Sequence, residues 1–353
     1  MPAELTFLVG SYTQPEAHVP QACGEGIVTL SLDPETGGIT RRGVFSGILN
    51  PSYLAYDAGN RHVFAVSENI GGEGEVWQFE LSHDGGLVPL SRQPSHGAAT
   101  CHVAALPGDL VCAASYLGGC IAVYPVENGI LEPARRVFLY RGSGANPQRQ
   151  EASHAHQIVV APGERWFHVC DLGSDCVWRH DIHATDEPRA NSMPAGHGPR
   201  HMVFHPKLPR AWVLGELTGS VITCDWDAET GSLTAIGSTR EIEEDASAAA
   251  IRLHPSLRTL WISLRKHPSL MAFQLDDNGL PVESTAIPLD AGEPRDFAFS
   301  PDGRWLIAAN QSSDELVIIE IDPATGLPTG SSQQHFSIAT PVCVIFLTKP
   351  ILS

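Results

Sequence analysis

The hydrophobic residues of this chain recur in short runs separated by turns, and the same arrangement of runs repeats along its length. Each copy starts at a proline or a small residue, continues through a short apolar strand and a tight turn, and ends in a second apolar strand. Residues 51–68 form one copy and residues 294–310 form another. The runs alternate with polar residues or are four to six residues long, which predicts β-strands and argues against amphipathic helices.

Two further strands complete each copy. Residues 75–81, 220–225 and 316–321 are apolar runs that we interpret as third strands. A turn with Asp and Gly at fixed offsets, which is typical of a connection between antiparallel strands, recurs almost unchanged. Its three clearest copies are Asp33-Pro-Glu-Thr-Gly37, Asp227-Ala-Glu-Thr-Gly231 and Asp322-Pro-Ala-Thr-Gly326.

The aligned copies are seven in number and are 44 to 55 residues apart. Four antiparallel strands in each period of this length predict an all-β fold, a seven-bladed β-propeller. The copies start at Pro51, Thr100, Ala155, Pro199, Ala248, Pro294 and Pro341.

The two ends of the chain predict how the ring closes. Residues 341–346 form a first strand with no second strand after it, and residues 5–12 form a second strand with no first strand before it. Pairing them completes one blade and removes both free sheet edges. We therefore expect a single domain over residues 1–353, with the closing blade made from about residues 1–47 and 338–349.

Charge and composition narrow the classes of partner. The 353 residues carry a formal net charge of −18, which disfavours a nucleic-acid partner. No run approaches 18 apolar residues, so no membrane span is expected. The N-terminus has no signal-peptide pattern and none of the eight cysteines forms a CxxC pair. These features favour a cytoplasmic protein with reduced, buried thiols. Because propellers of this size can be monomers, we expect a monomer or a weak homo-oligomer.

The repeat also places the candidate chemistry at one rim of the channel. The start of each first strand and the end of each second strand are antiparallel neighbours, and so lie at the same rim. Two long connections, residues 13–25 and 141–153, reach this rim, where binding loops are common. The turns that join the first strand to the second strand of each blade, such as Pro301–Gly303, lie at the opposite rim. One residue past the seven starts stand Ser52, Cys101, His156, Arg200, Ala249, Arg295 and Val342.

His156, Arg200 and Arg295 should therefore converge at the channel mouth. Near the ends of the second strands are Glu68, Glu216 and Arg265, 17 residues past the starts, and Tyr116, Asp171 and Asn310, 16 residues past them. Either these polar groups only solvate a water-filled channel, or they form a site. We favour a site, because buried guanidinium groups need anionic partners.

At these positions the sequence resembles the seven-bladed propeller lactonases of the 6-phosphogluconolactonase type, which include the fungal carboxymuconate cyclase. The resemblance spans essentially the whole chain. It departs from the family at Leu264-Arg-Lys-His267, where Asn-Arg is common. The matching motifs are Arg149-Gln-Glu-Ala-Ser-His-Ala-His156, Asp171-Leu-Gly-Ser-Asp175, Gly198-Pro-Arg-His-Met-Val-Phe-His-Pro206 with Glu216, and Glu293-Pro-Arg-Asp-Phe-Ala-Phe-Ser-Pro-Asp-Gly303.

The resemblance implies a hydrolase of carbohydrate metabolism that opens a sugar lactone. It implies that His156, Arg200 and Glu216 are catalytic and that Arg265 and Arg295 hold the anion of the substrate. His156 or Glu216 would activate water, and Arg200 would stabilise the oxyanion. We expect further substrate contacts from a second group of residues: His154, Glu68, Asp171 and Asn310.

No cofactor or metal is expected, because the histidines at 154, 197, 201 and 205 lack a third ligand at a suitable spacing. Two alternatives to hydrolysis stay open. The same site could form a lactone from a muconate-type dicarboxylate, or the propeller could be a non-enzymatic binding scaffold. The single Trp226-Asp227 pair, with no periodic Gly-His partner, argues against a scaffold of the WD40 kind.

Overall fold

Seven antiparallel sheets arranged in a ring make up the fold of the computed structural model, which describes residues 4–82, 85–184, 186–239, 242 and 246–347. The predicted fold class is therefore confirmed. No helix occurs among the described residues, and hence none that could span a membrane.

The first twelve strands, from Leu5 to Leu139, belong to the first three blades in chain order. Blade 1 contains β1 (Leu5–Ser11), β2 (Ile27–Leu32) and β3 (Ile39–Phe45). Blade 2 contains β4 (Leu54–Asp57), β5 (His62–Ser67), β6 (Glu73–Leu81) and β7 (Leu87–Ala98). Blade 3 contains β8 (Thr100–Leu106), β9 (Leu110–Ser115), β10 (Cys120–Glu127), β11 (Ile130–Leu131) and β12 (Arg136–Leu139).

The remaining blades repeat the four-stranded pattern. Blade 4 contains β13 (Ala155–Val160), β14 (Trp166–Asp171), β15 (Cys176–Asp181) and β16 (Arg189–Ser192); blade 5 contains β17 (Pro199–Phe204), β18 (Arg210–Gly215), β19 (Val221–Trp226) and β20 (Leu233–Ser238); blade 6 contains β21 (Ala248–Leu253), β22 (Thr259–Leu264), β23 (Ser269–Leu275) and β24 (Pro281–Pro288); blade 7 contains β25 (Pro294–Phe299), β26 (Trp305–Asn310), β27 (Glu315–Ile321) and β28 (Pro328–Ser337).

The C-terminal strand β29 (Pro341–Phe346) closes the ring, as the sequence predicted. It pairs with β1 and becomes the innermost strand of blade 1. Around the channel, β29 packs against β25 on one side and β4 on the other. This closure leaves no blade without a neighbour. The assignment of the whole chain to a single domain stays a prediction.

The hydrophobic core lies between neighbouring sheets. Phe7 of blade 1 packs in one cluster with Trp305 of blade 7, and Leu8 packs in another with Phe79 of blade 2. Seven cysteines are buried as predicted, whereas Cys23 is exposed, contrary to the prediction, because it lies in the long connection between β1 and β2.

The recurring Asp-Gly turn has the same geometry in all three clear copies. The side chains of Asp33, Asp227 and Asp322 each accept a hydrogen bond at 2.8–2.9 Å from the backbone N–H two residues later. The glycine four residues after each Asp has a φ of 70–74°, a conformation that side chains rarely adopt. These turns fix the register of the third and fourth strands.

Candidate active site

Four of the inner strands begin with a local irregularity that aims one side chain at the channel. In β8, β13, β17 and β25 the pairing register skips the second residue, which forms a β-bulge. A bulge re-aims the extra side chain and increases the local twist. The four residues at these bulges all line one cavity at the predicted rim: Cys101, His156, Arg200 and Arg295.

A second set of residues is made equivalent by one backbone hydrogen bond that recurs in all seven blades. The residue that follows the second strand donates its N–H to the carbonyl of the residue that precedes the inner strand, at 2.9–3.3 Å. The donors of this hydrogen bond, which we call the rim ring, are Tyr12, Glu68, Tyr116, Leu172, Glu216, Arg265 and Gln311.

Asp171 and Asn310 lie outside the cavity lining, contrary to expectation. The inner hairpin of blade 3 is one residue shorter than the others, so an offset of 16 reaches the rim ring only at Tyr116. In blades 4 and 7 an offset of 16 reaches the residue before the rim-ring residue. A shift of one residue along a strand moves a side chain to the other face of the sheet. Asn310 is fully buried, and its Nδ2 donates to the carbonyl of Ala308 at 3.1 Å.

Asp171 instead supports the loop before β13. Its Oδ1 accepts the backbone N–H of His154 at 2.7 Å and those of Gly173 and Ser174 at 3.1 and 3.2 Å. Its Oδ2 accepts the Ser174 hydroxyl at 2.6 Å and the Trp178 indole at 3.0 Å. This fully buried carboxylate therefore has five donors and no need of a substrate group.

Asp171→Asn should therefore lower stability rather than substrate affinity alone. The new amide NH₂ would face the donors of Ser174 or His154, and the loss of hydrogen bonds to a buried charge costs about 1.5–3 kcal/mol. Urea unfolding measures this loss, with Asp277→Asn on an exposed turn as the control. A variant with wild-type stability and a raised KM would instead support the predicted substrate contact.

His154 also lies beneath the cavity wall rather than in it. Its ring stacks on Tyr116 with centroids 4.3 Å apart and planes 7° apart. Its Nδ1 lies 3.1 Å from the Tyr116 carbonyl and its Nε2 lies 3.1 Å from a carboxylate oxygen of Glu151. Tyr116 itself lines the cavity, so His154 holds a wall residue in place.

Glu216 is the centre of a cluster of guanidinium groups. Its Oε1 accepts a hydrogen bond from Nη2 of Arg149 at 2.6 Å and lies 3.3 Å from Nη2 of Arg265. Its Oε2 lies 2.8 Å from Nε of Arg200, a close ion pair whose N–H direction does not complete a hydrogen bond. Burial alone would raise the pKa of this carboxyl, but the three guanidiniums hold it far below its usual range. Glu216 is therefore ionised at neutral pH.

Arg200 is enclosed, with 3% of its surface exposed. Its Nη1 donates to the carbonyl of Ala249 and lies 3.3 Å from Nε2 of His201. Burial, with Arg265 nearby, lowers the pKa of Arg200 to about 10, so the group is still a cation at neutral pH. These contacts fix a positive charge at the wall of the cavity.

His156 lines the cavity beside Tyr116 and Arg200. Its ring centroid lies 5.8 Å from that of Tyr116 and 5.3 Å from that of His201. Its Nδ1 is buried and has no hydrogen-bond partner in the described part of the chain. Burial, reinforced by Arg200, lowers the pKa of His156 well below its usual value, so the imidazole is neutral at pH 7.

The opposite side of the cavity is built around Tyr12. Its hydroxyl donates to Oε2 of Glu68 at 2.9 Å and accepts from Nη2 of Arg295 at 3.0 Å. Nε2 of His18 lies 3.1 Å from the same oxygen. Because the hydroxyl has one proton and two lone pairs, His18 must donate through Nε2. Burial lowers the pKa of His18 to about 4, which agrees with a neutral ring.

The cavity has a volume of about 460 Å³, in the range of small-molecule sites. The structure thus brings together six of the nine predicted site residues: His156, Arg200, Glu216, Arg265, Arg295 and Glu68.

Sequence reasoning gave no role to four contributors, of which only Tyr116 was placed at this rim. Arg149 and His18 come from the two long connections predicted to reach this rim. Tyr116 lies at the second-strand end of blade 3 and Tyr12 at that of the closing blade, positions that belong to the rim ring. No group of three His, Cys, Asp or Glu side chains in the described residues is arranged to hold a metal ion.

Comparison with known families identifies this architecture. Residues 6–346 match the family model described as lactonase, 7-bladed beta-propeller. The chain belongs to this family. The predicted resemblance is confirmed, since the match covers nearly the whole chain.

Named relatives match this chain over almost its full length. A 6-phosphogluconolactonase of Bacillus subtilis is 29% identical over 349 residues, which are 96% of this chain and 97% of the relative. A 6-phosphogluconolactonase of Pectobacterium carotovorum is 26% identical over 329 residues, 90% of this chain and 91% of the relative. The solved structure of the Pseudomonas aeruginosa periplasmic gluconolactonase superposes with a TM-score of 0.87 at 26% identity and covers 99% of this chain and all of its own.

Proposed function

We propose that this protein hydrolyses an anionic sugar lactone, with 6-phosphogluconolactone as the favoured substrate, in the cavity at the channel rim. The observation that carries the proposal is the charge of that cavity. Four guanidinium groups surround two carboxyl groups, so the site has an excess of at least two positive charges. The rest of the chain is acidic. Burying several cations costs desolvation free energy, and a channel that holds only water would not require them.

The anion of the substrate would meet Arg295 and Arg265. No carboxylate among the described residues lies within 4 Å of Arg295, whose nearest polar partner is the neutral Tyr12 hydroxyl. A planar guanidinium can bind two oxygens of a phosphate or carboxylate at once. Arg265 is oriented toward the cavity by a hydrogen bond from its Nε to the carbonyl of Ser247 at 2.9 Å.

The chemical step would use His156 and Arg200. His156 is neutral and can take a proton from the attacking water, and Glu216 favours the imidazolium that forms. Glu216 itself is a poor base, because three cations stabilise its ionised form. Arg200 would stabilise the negative oxygen that develops as water adds to the lactone carbonyl.

A panel of substrates tests this proposal. We expect purified protein to hydrolyse 6-phosphogluconolactone well above the spontaneous rate, and glucono-δ-lactone with a KM at least about tenfold higher, because the loss of a charged contact costs more than 1.4 kcal/mol. Stopped-flow detection of released acid at 25 °C measures both reactions.

The same panel separates the alternatives. Turnover of a muconate-type dicarboxylate to a lactone, without hydrolysis of sugar lactones, would favour the cyclising reaction. Absence of turnover on every compound would favour a binding scaffold. The monomeric or weakly oligomeric state and the cytoplasmic location stay predictions.

A further inference from the structure

Two carboxyl groups of the rim ring face the same cavity from opposite sides. Glu68 belongs to blade 2 and Glu216 to blade 5, and three blades is the largest separation in a ring of seven. Both are 4% exposed. The same backbone hydrogen bond sets the height of both residues, at 3.1 Å in Glu68 and 2.9 Å in Glu216. The two groups therefore differ in their surroundings rather than in depth.

Those surroundings are opposite in character. Glu216 has three guanidiniums within 3.3 Å. Glu68 accepts a hydrogen bond from the Tyr12 hydroxyl at 2.9 Å. No cationic side chain of the described residues lies within 4 Å of the Glu68 carboxyl group. The nearest cation in its network, Arg295, is reached through the Tyr12 oxygen. Glu216 is thus fixed as an anion, whereas Glu68 is free to gain and lose a proton.

The titration behaviour agrees with this contrast. Burial raises the pKa of Glu68, and the opposing effects of Arg295 and of the Ser52 and Tyr12 hydroxyls do not cancel it. Glu16, on the loop after β1, adds to the increase, and His18 and the Cys101 thiol on β8 are further titratable groups at this cavity. A buried carboxyl group whose pKa is raised keeps its proton to higher pH, which suits Glu68 to a general acid, whereas the ionised Glu216 fixes a charge and His156 is the proposed base.

We propose that Glu68 is a catalytic acid of this site, which protonates the ring oxygen as the lactone opens. The inference rests on the proposed lactone hydrolysis. Water adds to the carbonyl carbon and gives one proton to His156. The bond between that carbon and the ring oxygen then breaks, and the oxygen takes the Glu68 proton to become a hydroxyl. The new carboxylic acid then loses its proton, and His156 loses the proton that it took from water. One of these two protons returns to Glu68, and the other leaves to solvent.

Tyr12 positions this acid. Its hydroxyl donates a hydrogen bond to Oε2 of Glu68, so in this proposal Oε1 carries the transferable proton. The same hydroxyl holds Arg295 at 3.0 Å, and the Arg295 guanidinium lies over the Tyr12 ring, 5.4 Å from its centroid. The acid and the proposed anion-binding arginine therefore share one anchor. A substrate held by Arg295 would be brought close to the Glu68 side of the cavity.

The test compares an oxygen lactone with the thiolactone of the same ring, using the full-length protein. A thiolate leaves without a proton, whereas an alkoxide does not. Glu68→Gln should lower kcat on the oxygen lactone by about 10²–10⁴-fold, the usual contribution of general acid catalysis, and should lower it less than about tenfold on the thiolactone. Glu35→Gln, on an exposed turn, is the matched control and should change neither rate.

The pH profile is the second readout. Wild-type kcat should fall as rising pH ionises Glu68, and Glu68→Gln should lack this alkaline decrease. Tyr12→Phe removes a hydrogen bond that favours the ionised carboxylate, so the decrease should move to higher pH. This variant keeps the carboxyl group and is informative even if Glu68→Gln folds poorly.

Either of two results would overturn the role of Glu68 alone: wild-type turnover of the oxygen lactone by Glu68→Gln, or equal losses on both substrates. Wild-type protein that opens neither compound would overturn the proposed function, and the role of Glu68 with it.

Discussion

Arg200→Ala should lower kcat/KM for lactone hydrolysis by at least about 10²–10³-fold, the usual cost of removing one donor to a developing oxyanion. The propeller should stay folded. Glu216 would lose one of its three cationic partners but would still be paired with Arg149 at 2.6 Å and Arg265 at 3.3 Å. No buried carboxylate would be left alone, so the large penalty for an unpaired charge would be avoided.

Kinetics and unfolding must be measured on the same preparations of this variant. Arg200→Lys keeps a positive charge but loses the planar contacts to Glu216 and to the Ala249 carbonyl, and should recover only part of the rate. Arg258→Ala, exposed on the opposite rim, should have wild-type kinetics. Wild-type kcat/KM in Arg200→Ala would contradict the assignment of the oxyanion role.

The repeat allowed much of the site to be predicted because equivalent offsets in a propeller share one depth. His156, Arg200 and Arg295 were assigned to one level of the channel from their spacing alone, and all three line the cavity. Spacing did not reveal that these residues lie at bulges. A bulge depends on which hydrogen bonds the neighbouring strand completes, and the apolar pattern of one strand does not encode it.

The positions of Asp171 and Asn310 outside the cavity lining have one physical origin. One hairpin of the ring is a residue shorter than the rest, and a sheet turns such a difference into a change of face. The recurring backbone hydrogen bond resolves the ambiguity, because it identifies Leu172 and Gln311 as the true equivalents of Glu216. That hydrogen bond forms only in the folded chain, so the equivalence that it defines cannot be found by counting residues along the sequence.

The distinction between Glu68 and Glu216 was also beyond the sequence. Both are glutamates at the same offset, and both were expected at the site. The difference arises from Arg149, which reaches Glu216 from a loop, and from Tyr12, which reaches Glu68 from the closing blade. Both partners are distant in the chain, and their direction depends on the closed ring.

The environment of Glu216 makes its substitution the most damaging one that we expect for stability. Glu216→Ala would leave Arg149, Arg200 and Arg265 close together without the carboxylate that separates their charges. Breaking a buried ion pair from one side costs about 3–5 kcal/mol, and we expect a loss of this size in urea unfolding at pH 7. The matched control is Glu320→Gln, whose pair with Arg304 at 3.0 Å is half-exposed and should be worth less than about 1 kcal/mol.

The pH dependence gives this prediction a sign. The folded pKa of Glu216 lies below its unfolded value of about 4.3, so its stabilisation is fully present above that value and is lost as pH falls toward the folded pKa. The stability gap between wild type and Glu216→Ala should therefore be constant above about pH 5.5 and shrink on acidification. A gap that does not change down to pH 3 would mean that Glu216 stabilises the fold through packing alone. Added acetate can place a carboxylate among the three guanidiniums of Glu216→Ala. It should therefore raise the free energy of unfolding of this variant more than that of wild type. Equal effects on both proteins would argue against a cation cluster held by one anion.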